Sequence, residues 1–183
     1  MFHIQLVQWK EFYLLPFETT VDNRLRVFQY KITHNSIYTN QRLYGINLCL
    51  SDKCKRCFTE VETLQHMFVS CLQVKRFWIY VKKRFSDALV DNLELTTNCI
   101  LFGQPRLKYN VNIVNHLLLI GKRFLYDSRL NSTQIVNSVF ERLVESISKT
   151  EKRIANRSES VEKYNMKWSK VNEVLYREGF IVP

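Results

Sequence analysis

Apolar residues along this chain recur mainly at helical spacing. After Asp22, whose carboxylate can cap a helix start, Leu25, Phe28 and Ile32 fall three and four positions apart. Val74, Phe77, Trp78, Val81 and Phe85 form a second stripe, with Lys75, Lys82 and Lys83 on the opposite face. The stretch from Val111 to Arg129 is apolar enough to predict a helix packed on more than one side. Ser132 is placed to cap the next helix, which carries Ile135, Val136, Val139, Phe140, Leu143, Val144 and Ile147 and runs to about Arg157. Ser160 is placed to cap a last one bearing Val161, Tyr164, Trp168, Val171 and Leu175. Aromatics at this spacing, Trp78 and Trp168 included, read as core. Asn92 to Arg106, ending in Gly103 and Pro105, reads as irregular.

The expected fold is therefore mainly α. The pattern divides into an N-terminal helical segment (1–50), a small knuckle with its following helix (51–90), an irregular linker (91–110) and a C-terminal helical region (111–183). Only 4 Gly and 3 Pro in 183 residues suit helices with short connections better than a turn-rich sandwich. With 46 % apolar residues, the chain is too hydrophobic to stay disordered. The longest apolar stretch, Val111–Leu125, is broken by Asn112, Asn115, His116, Lys122 and Arg123, so no membrane span is expected. Residues 1–20 contain Lys10, Glu11 and Glu18, which does not suit a signal peptide.

Candidate chemistry concentrates in one window. Cys54, Cys57, His66 and Cys71 read as C-x2-C-x8-H-x4-C. Three thiolates and an imidazole suit Zn2+, which favours four sulfur or nitrogen ligands at about 2.0–2.3 Å. The alternative is a set of ordinary buried cysteines beside a core histidine. Glu62 to Val69 can form about two helical turns, carrying His66 towards the C-x2-C turn. Cys49, Cys99 and His34 are spare, with Cys49 the nearest competitor as a ligand. An odd, clustered cysteine set is unlike a secreted disulfide framework, so a reducing intracellular setting, nuclear or cytoplasmic, is expected.

Charge adds a direction. Of a net +10, residues 51–85 contribute +5, from eight Lys or Arg against Asp52, Glu60 and Glu62. A solvated helix face explains any one such run. Clustering beside a metal knuckle favours nucleic acid, because a compact cationic surface gains affinity by displacing counterions from phosphates. The phosphate-contact set read from the sequence is Lys53, Lys55, Arg56, Lys75, Arg76, Lys82, Lys83 and Arg84.

The stretch F-Q-Y-K-I-T-H-N-S-I-Y-T-N (Phe28–Asn40), then C-x2-C, then E-T-L-Q-H-M-F-V-S-C (Glu62–Cys71), then Phe77–Trp78, resembles the zinc-binding region of non-LTR (LINE-type) retrotransposon reverse transcriptases. Carried over residue by residue, Cys54, Cys57, His66 and Cys71 match that family's metal-ligand positions. Glu62, Phe77 and Trp78 match its recurrent flanking positions, which support the fold. The resemblance implies a structural zinc and contact with RNA or DNA beside a polymerase. It also implies a fragment, since no Tyr-x-Asp-Asp motif occurs and the length cannot hold a palm domain as well. The chain departs from the retroviral knuckle C-x2-C-x4-H-x4-C in its longer middle loop.

Three function classes follow: a zinc-stabilised nucleic-acid-binding module with no small-molecule substrate; a scaffold docking on a polymerase or host factor, suggested by the apolar density of 111–150; and a nuclease. The nuclease would need clustered carboxylates, whereas Asp87, Asp91, Glu94, Asp127, Glu141, Glu145 and Glu151 show no tight arrangement. Glu141, Glu145 and Lys149 read more simply as an ion-pair row along a helix. No enzyme activity is expected.

Overall fold

The computed structural model describes residues 6–89, 93–105 and 111–177. Its elements are α1 (Leu6–Thr19), α2 (Asn23–Thr33), α3 (Asn40–Gly45), a π-helical turn (His66–Ser70), α4 (Leu72–Arg84), α5 (Thr97–Phe102), α6 (Val111–Leu130), α7 (Asn137–Arg157) and α8 (Val161–Arg177). Among the described residues the only β pairing is an isolated antiparallel bridge between Lys53 and Val61.

The first stripe forms as its pattern requires. Asp22 caps α2 by accepting from the Arg24 amide at 2.8 Å, and Leu25, Phe28 and Ile32 are buried. The second stripe becomes α4, whose Val74, Phe77, Trp78 and Val81 join one apolar cluster extending from Leu25 to Leu175. At the centre lies α6, which packs on α1, α2, the π turn, α7 and α8. Helix α6 is accordingly buried all round at Ile113–Ile120, the many-sided packing that its composition predicts.

Two details fix how close α6 and α4 approach. Trp78 Nε1 donates to the Phe68 carbonyl at 2.7 Å, which ties α4 to the π turn. Gly121 of α6 faces the same ring: a Cβ there would stand 2.7 Å from Trp78 Cη2.

The structure corrects three expectations. Within 91–110, Thr97–Phe102 is helical rather than irregular; Thr96 caps it and Cys99–Phe102 are buried. Residues 91, 92 and 106–110 lie outside the described residues. Helix α7 starts at Asn137, after Val136, so Ser132 is not its cap; Ser132 instead sits in a left-handed conformation, φ 52°, in the turn that ends α6. Third, the apolar density of 111–150 goes largely to the core: Phe124, Leu125, Phe140 and Val144 of α6 and α7 face inward, while Leu130, Val136 and Val139 stay exposed.

Trp168 is fully buried, as its spacing suggests, and its Nε1 donates to Glu151 at 2.7 Å. Lys167 Nζ donates to the same carboxylate oxygen at 2.8 Å and to the Thr19 carbonyl at 2.7 Å, joining α8 to α7 and α1. Of the supposed ion-pair row, Lys149 does pair with Glu145 at 2.7 Å, but Glu141 turns to Arg84 and Tyr80.

Candidate metal centre

The ligating atoms of Cys54, Cys57, His66 and Cys71 all lie within 4.8 Å of one another. Zn–S and Zn–N bonds of about 2.3 and 2.0 Å arranged tetrahedrally put ligand atoms about 3.5–3.8 Å apart. Cys57 Sγ and His66 Nε2 stand 3.3 Å apart, close to that edge. The donor set and its spacing therefore fit Zn2+. Among the described residues no other group of three or more Cys, His, Asp or Glu converges in this way.

Two local structures supply the ligands. The first is the turn between Lys53 and Val61. Cys54 N donates to the Glu60 carbonyl at 2.8 Å and Phe58 N to the Cys54 carbonyl at 2.9 Å, so the chain doubles back tightly. Phe58 takes φ 59°, the left-handed region, to complete the reversal. The Arg56 amide donates to Cys54 Sγ at 3.4 Å.

The second is the π turn. In an α-helix, residues five apart point about 140° away from each other, so H-x4-C could not aim both side chains at one ion. Widening the helix at His66–Ser70 removes most of that offset, and Cys71 N donates to the His66 carbonyl at 3.2 Å. The expected pair of regular turns over Glu62–Val69 is thus replaced by one short α turn, Leu64–Gln65, leading into the π turn. Ser70 Oγ lies 3.4 Å from His66 Nδ1, placing a hydroxyl behind the imidazole that can fix the ring with Nε2 facing the sulfurs.

The thiols already differ in their hold on protons. A hydrogen bond between them, reinforced by burial, pushes Cys54 up to about 12, and the same bond lowers Cys71 to about 6. The amides of Gln73 and Val74 at the start of α4 add to the pull on Cys71. For Cys57, burial acts against the thiolate, but the Thr59 hydroxyl, the amides of Glu60 and Thr59, and His66 outweigh it. Anionic sulfur is what a metal ligand needs.

Behind the cluster stands a buried cationic frame that sequence reasoning missed. Arg129, near the end of α6, pairs with Glu62 at 2.7 Å and donates to Asn40 Oδ1 at 2.7 Å. Asn40 returns one bond to Glu62 through its amide at 2.9 Å and one to the Lys53 carbonyl at 2.6 Å. Glu62 is thus a structural post, as its flanking position implies. Arg56 also turns inward, donating to Ser128 Oγ at 3.0 Å and to the Leu125 carbonyl. Burial lowers the Arg56 pKa, while the neighbouring Cys54, Cys71 and Glu62 favour its charge. It sits as counter-charge to the thiolates and leaves the phosphate-contact set for that reason. Long-range polar pairing of this kind has no local sequence signal.

Of the other basic candidates, Lys53, Lys55, Lys75, Arg76, Lys82 and Lys83 are exposed. Arg84 is half-buried and pairs with Glu141 at 3.2 Å. On α4 the exposed cations form two rows, Lys75 with Lys82 and Arg76 with Lys83, each one heptad apart. The spare residues stay outside the cluster. Cys49 Sγ faces the Ser51 carbonyl at 3.1 Å. Cys99 is buried in α5, which pushes its thiol up. His34 packs on Tyr30, ring centroids 4.1 Å apart.

No helix among the described residues is long and apolar enough to cross a membrane. No curated protein and no solved structure matches the chain. Residues 3–78, a span that includes Cys54, Cys57, His66 and Cys71, match the family described as zinc-binding in reverse transcriptase.

Proposed function

We propose that this chain is a zinc-stabilised nucleic-acid-binding module of a non-LTR retrotransposon type, acting on RNA or DNA beside a reverse transcriptase core carried elsewhere. The observation that carries this reading is the convergence of Cys54, Cys57, His66 and Cys71 within the segment similar to reverse-transcriptase zinc-binding regions. Four protein ligands fill a tetrahedral shell and leave no position for a reactive water, so the zinc is structural and does not catalyse hydrolysis. With zinc bound, the three thiolates and imidazole carry one net negative charge, which Arg56 offsets from inside. The rows on α4, with Lys53 and Lys55 on the knuckle, supply the phosphate contacts.

Filter binding of short RNA and DNA across a salt series tests this. Replacing Lys75, Lys82 and Lys83 together by Gln is expected to weaken binding and to reduce the slope of log K against log salt by about 2–3. An unaltered slope removes α4 from the interface.

A second reading, a scaffold docking on the polymerase, draws less on residues 111–150, where among the described residues only Leu130, Val136 and Val139 are large apolar residues left exposed. It is favoured more by the end of α3 and the segment that follows, where Tyr44, Ile46, Leu48 and Leu50 are exposed. Self-association of the zinc-loaded chain with no affinity for nucleic acid selects this reading.

A further inference from the structure

Phe58 departs from two ordinary rules at once. Its backbone lies in the left-handed region at φ 59°, where glycine or asparagine is at ease and a bulky side chain is not. The residue is 76 % exposed, the most exposed Phe, Tyr or Trp among the described residues. The only other phenylalanine exposed among them, Phe17 at 61 %, carries the Arg26 guanidinium over its face at 5.0 Å. Among the described residues no ring or cation stacks on Phe58. Burial therefore does not account for a phenylalanine here, and the turn itself would accept glycine more readily. A local cost with no internal return marks a functional position.

The surroundings indicate what the ring meets. Phe58 stands at the tip of the metal-held turn, between the Cys54 carbonyl it is bonded to and the Glu60–Cys54 closure, so its base is rigid when the metal is bound. Lys53 and Lys55 are exposed on the same turn, with Glu60 its single acid, at the closing end. Gln73 Nε2 donates to the Arg56 carbonyl at 2.9 Å, which sets the first turn of α4, with exposed Lys75 and Arg76, against the same loop. A rigid, solvent-facing aromatic ring among cations is the arrangement on which unpaired bases stack while phosphates meet the cations. In a duplex the bases are already stacked on one another, so their faces are not available to it.

We propose that Phe58 is a stacking platform for an unpaired base, which makes the knuckle a reader of single-stranded nucleic acid. This rests on the nucleic-acid-binding function proposed above and adds to it the strandedness of the ligand and a residue that selects it.

The test uses the zinc-loaded full chain with fluorescein-labelled oligouridylate and with a duplex RNA of equal length, read by anisotropy. Phe58→Ala and Phe58→Gly are expected to lose about 5- to 150-fold in affinity for the single strand, the range for one lost base stack. Both variants keep one zinc and the wild-type salt slope, because no phosphate contact is removed, and Phe58→Gly melts no lower than wild type. Phe58→Trp retains binding. Duplex affinity is unchanged throughout. Wild-type binding that Phe58→Ala and Phe58→Gly leave intact overturns the stacking role while the general binding function stands. Equal losses on single strand and duplex overturn the strand selectivity. Failure of wild type to bind either RNA, or the corresponding DNAs, brings down the binding function itself and this inference with it.

Discussion

Cys57 is the least buried of the four ligands, whereas Cys54 and Cys71 are closed off completely. Replacing it tests the metal with little disturbance of packing. Elemental analysis is expected to find one zinc per wild-type chain and none in Cys57→Ser, since a serine hydroxyl stays protonated at neutral pH and is a poor ligand. Cys49→Ser is expected to keep the zinc, because that sulfur faces backbone carbonyls rather than the cluster. Retention of zinc in the first variant, or its loss in the second, would move the ligand set. At this scale the sequence was most informative. The four residues that converge in the structure are those picked out by residue type and spacing, because the chemistry of zinc restricts both. Arg56 shows where that stops. Its neighbours in sequence suggest a surface cation, and only the approach of Leu125 and Ser128, about 70 positions away, turns it inward.

Elements were legible where one face is apolar and less so where geometry departs from the standard period. Asp22 and the stripes of α2 and α4 forecast those helices closely. The π turn was out of reach, because its widening answers a demand from Cys54 and Cys57 and leaves no periodic trace in five residues. Helix α5 was hidden by its brevity and by the Gly103 and Pro105 that follow it. Close helix contact was equally invisible, although a single glycine permits it. Gly121→Ala would put a methyl group 2.7 Å from Trp78, whose indole is fixed at its other end by the Phe68 carbonyl. Rigid ring meets rigid helix, so the gain in helix propensity is expected to be outweighed. Thermal melting should show a loss of about 1–3 kcal/mol, equivalent to several degrees in a chain of this size. Gly45→Ala, where nothing stands within 4 Å, serves as the control and is expected to be neutral or slightly stabilising. Equal melting of the two variants would mean that Trp78 is free to move.

On the scale of the whole molecule, the knuckle and the helical remainder form one packed unit around α6, and the Glu62–Arg129 pair is a polar bolt between them. Both groups are almost fully withdrawn from water, so each depends on the other to offset the cost of burying its charge. Removing one partner is therefore worse than removing both. Arg129→Met leaves Glu62 buried with only the Asn40 amide to answer it and is expected to cost about 3–5 kcal/mol in chemical denaturation. Glu62→Leu should cost a similar amount by stranding Arg129 against Asn40. The double variant is expected to lose less than either single variant, far short of the sum of the two losses, the signature of a direct pair. Zinc content supplies the second readout. A bolt that merely braces the knuckle leaves one zinc per folded chain in every variant, because no ligand is touched. Additive losses would instead assign the two residues to separate roles, and zinc loss in Arg129→Met alone would show that α6 positions the ligands as well as the fold that carries them.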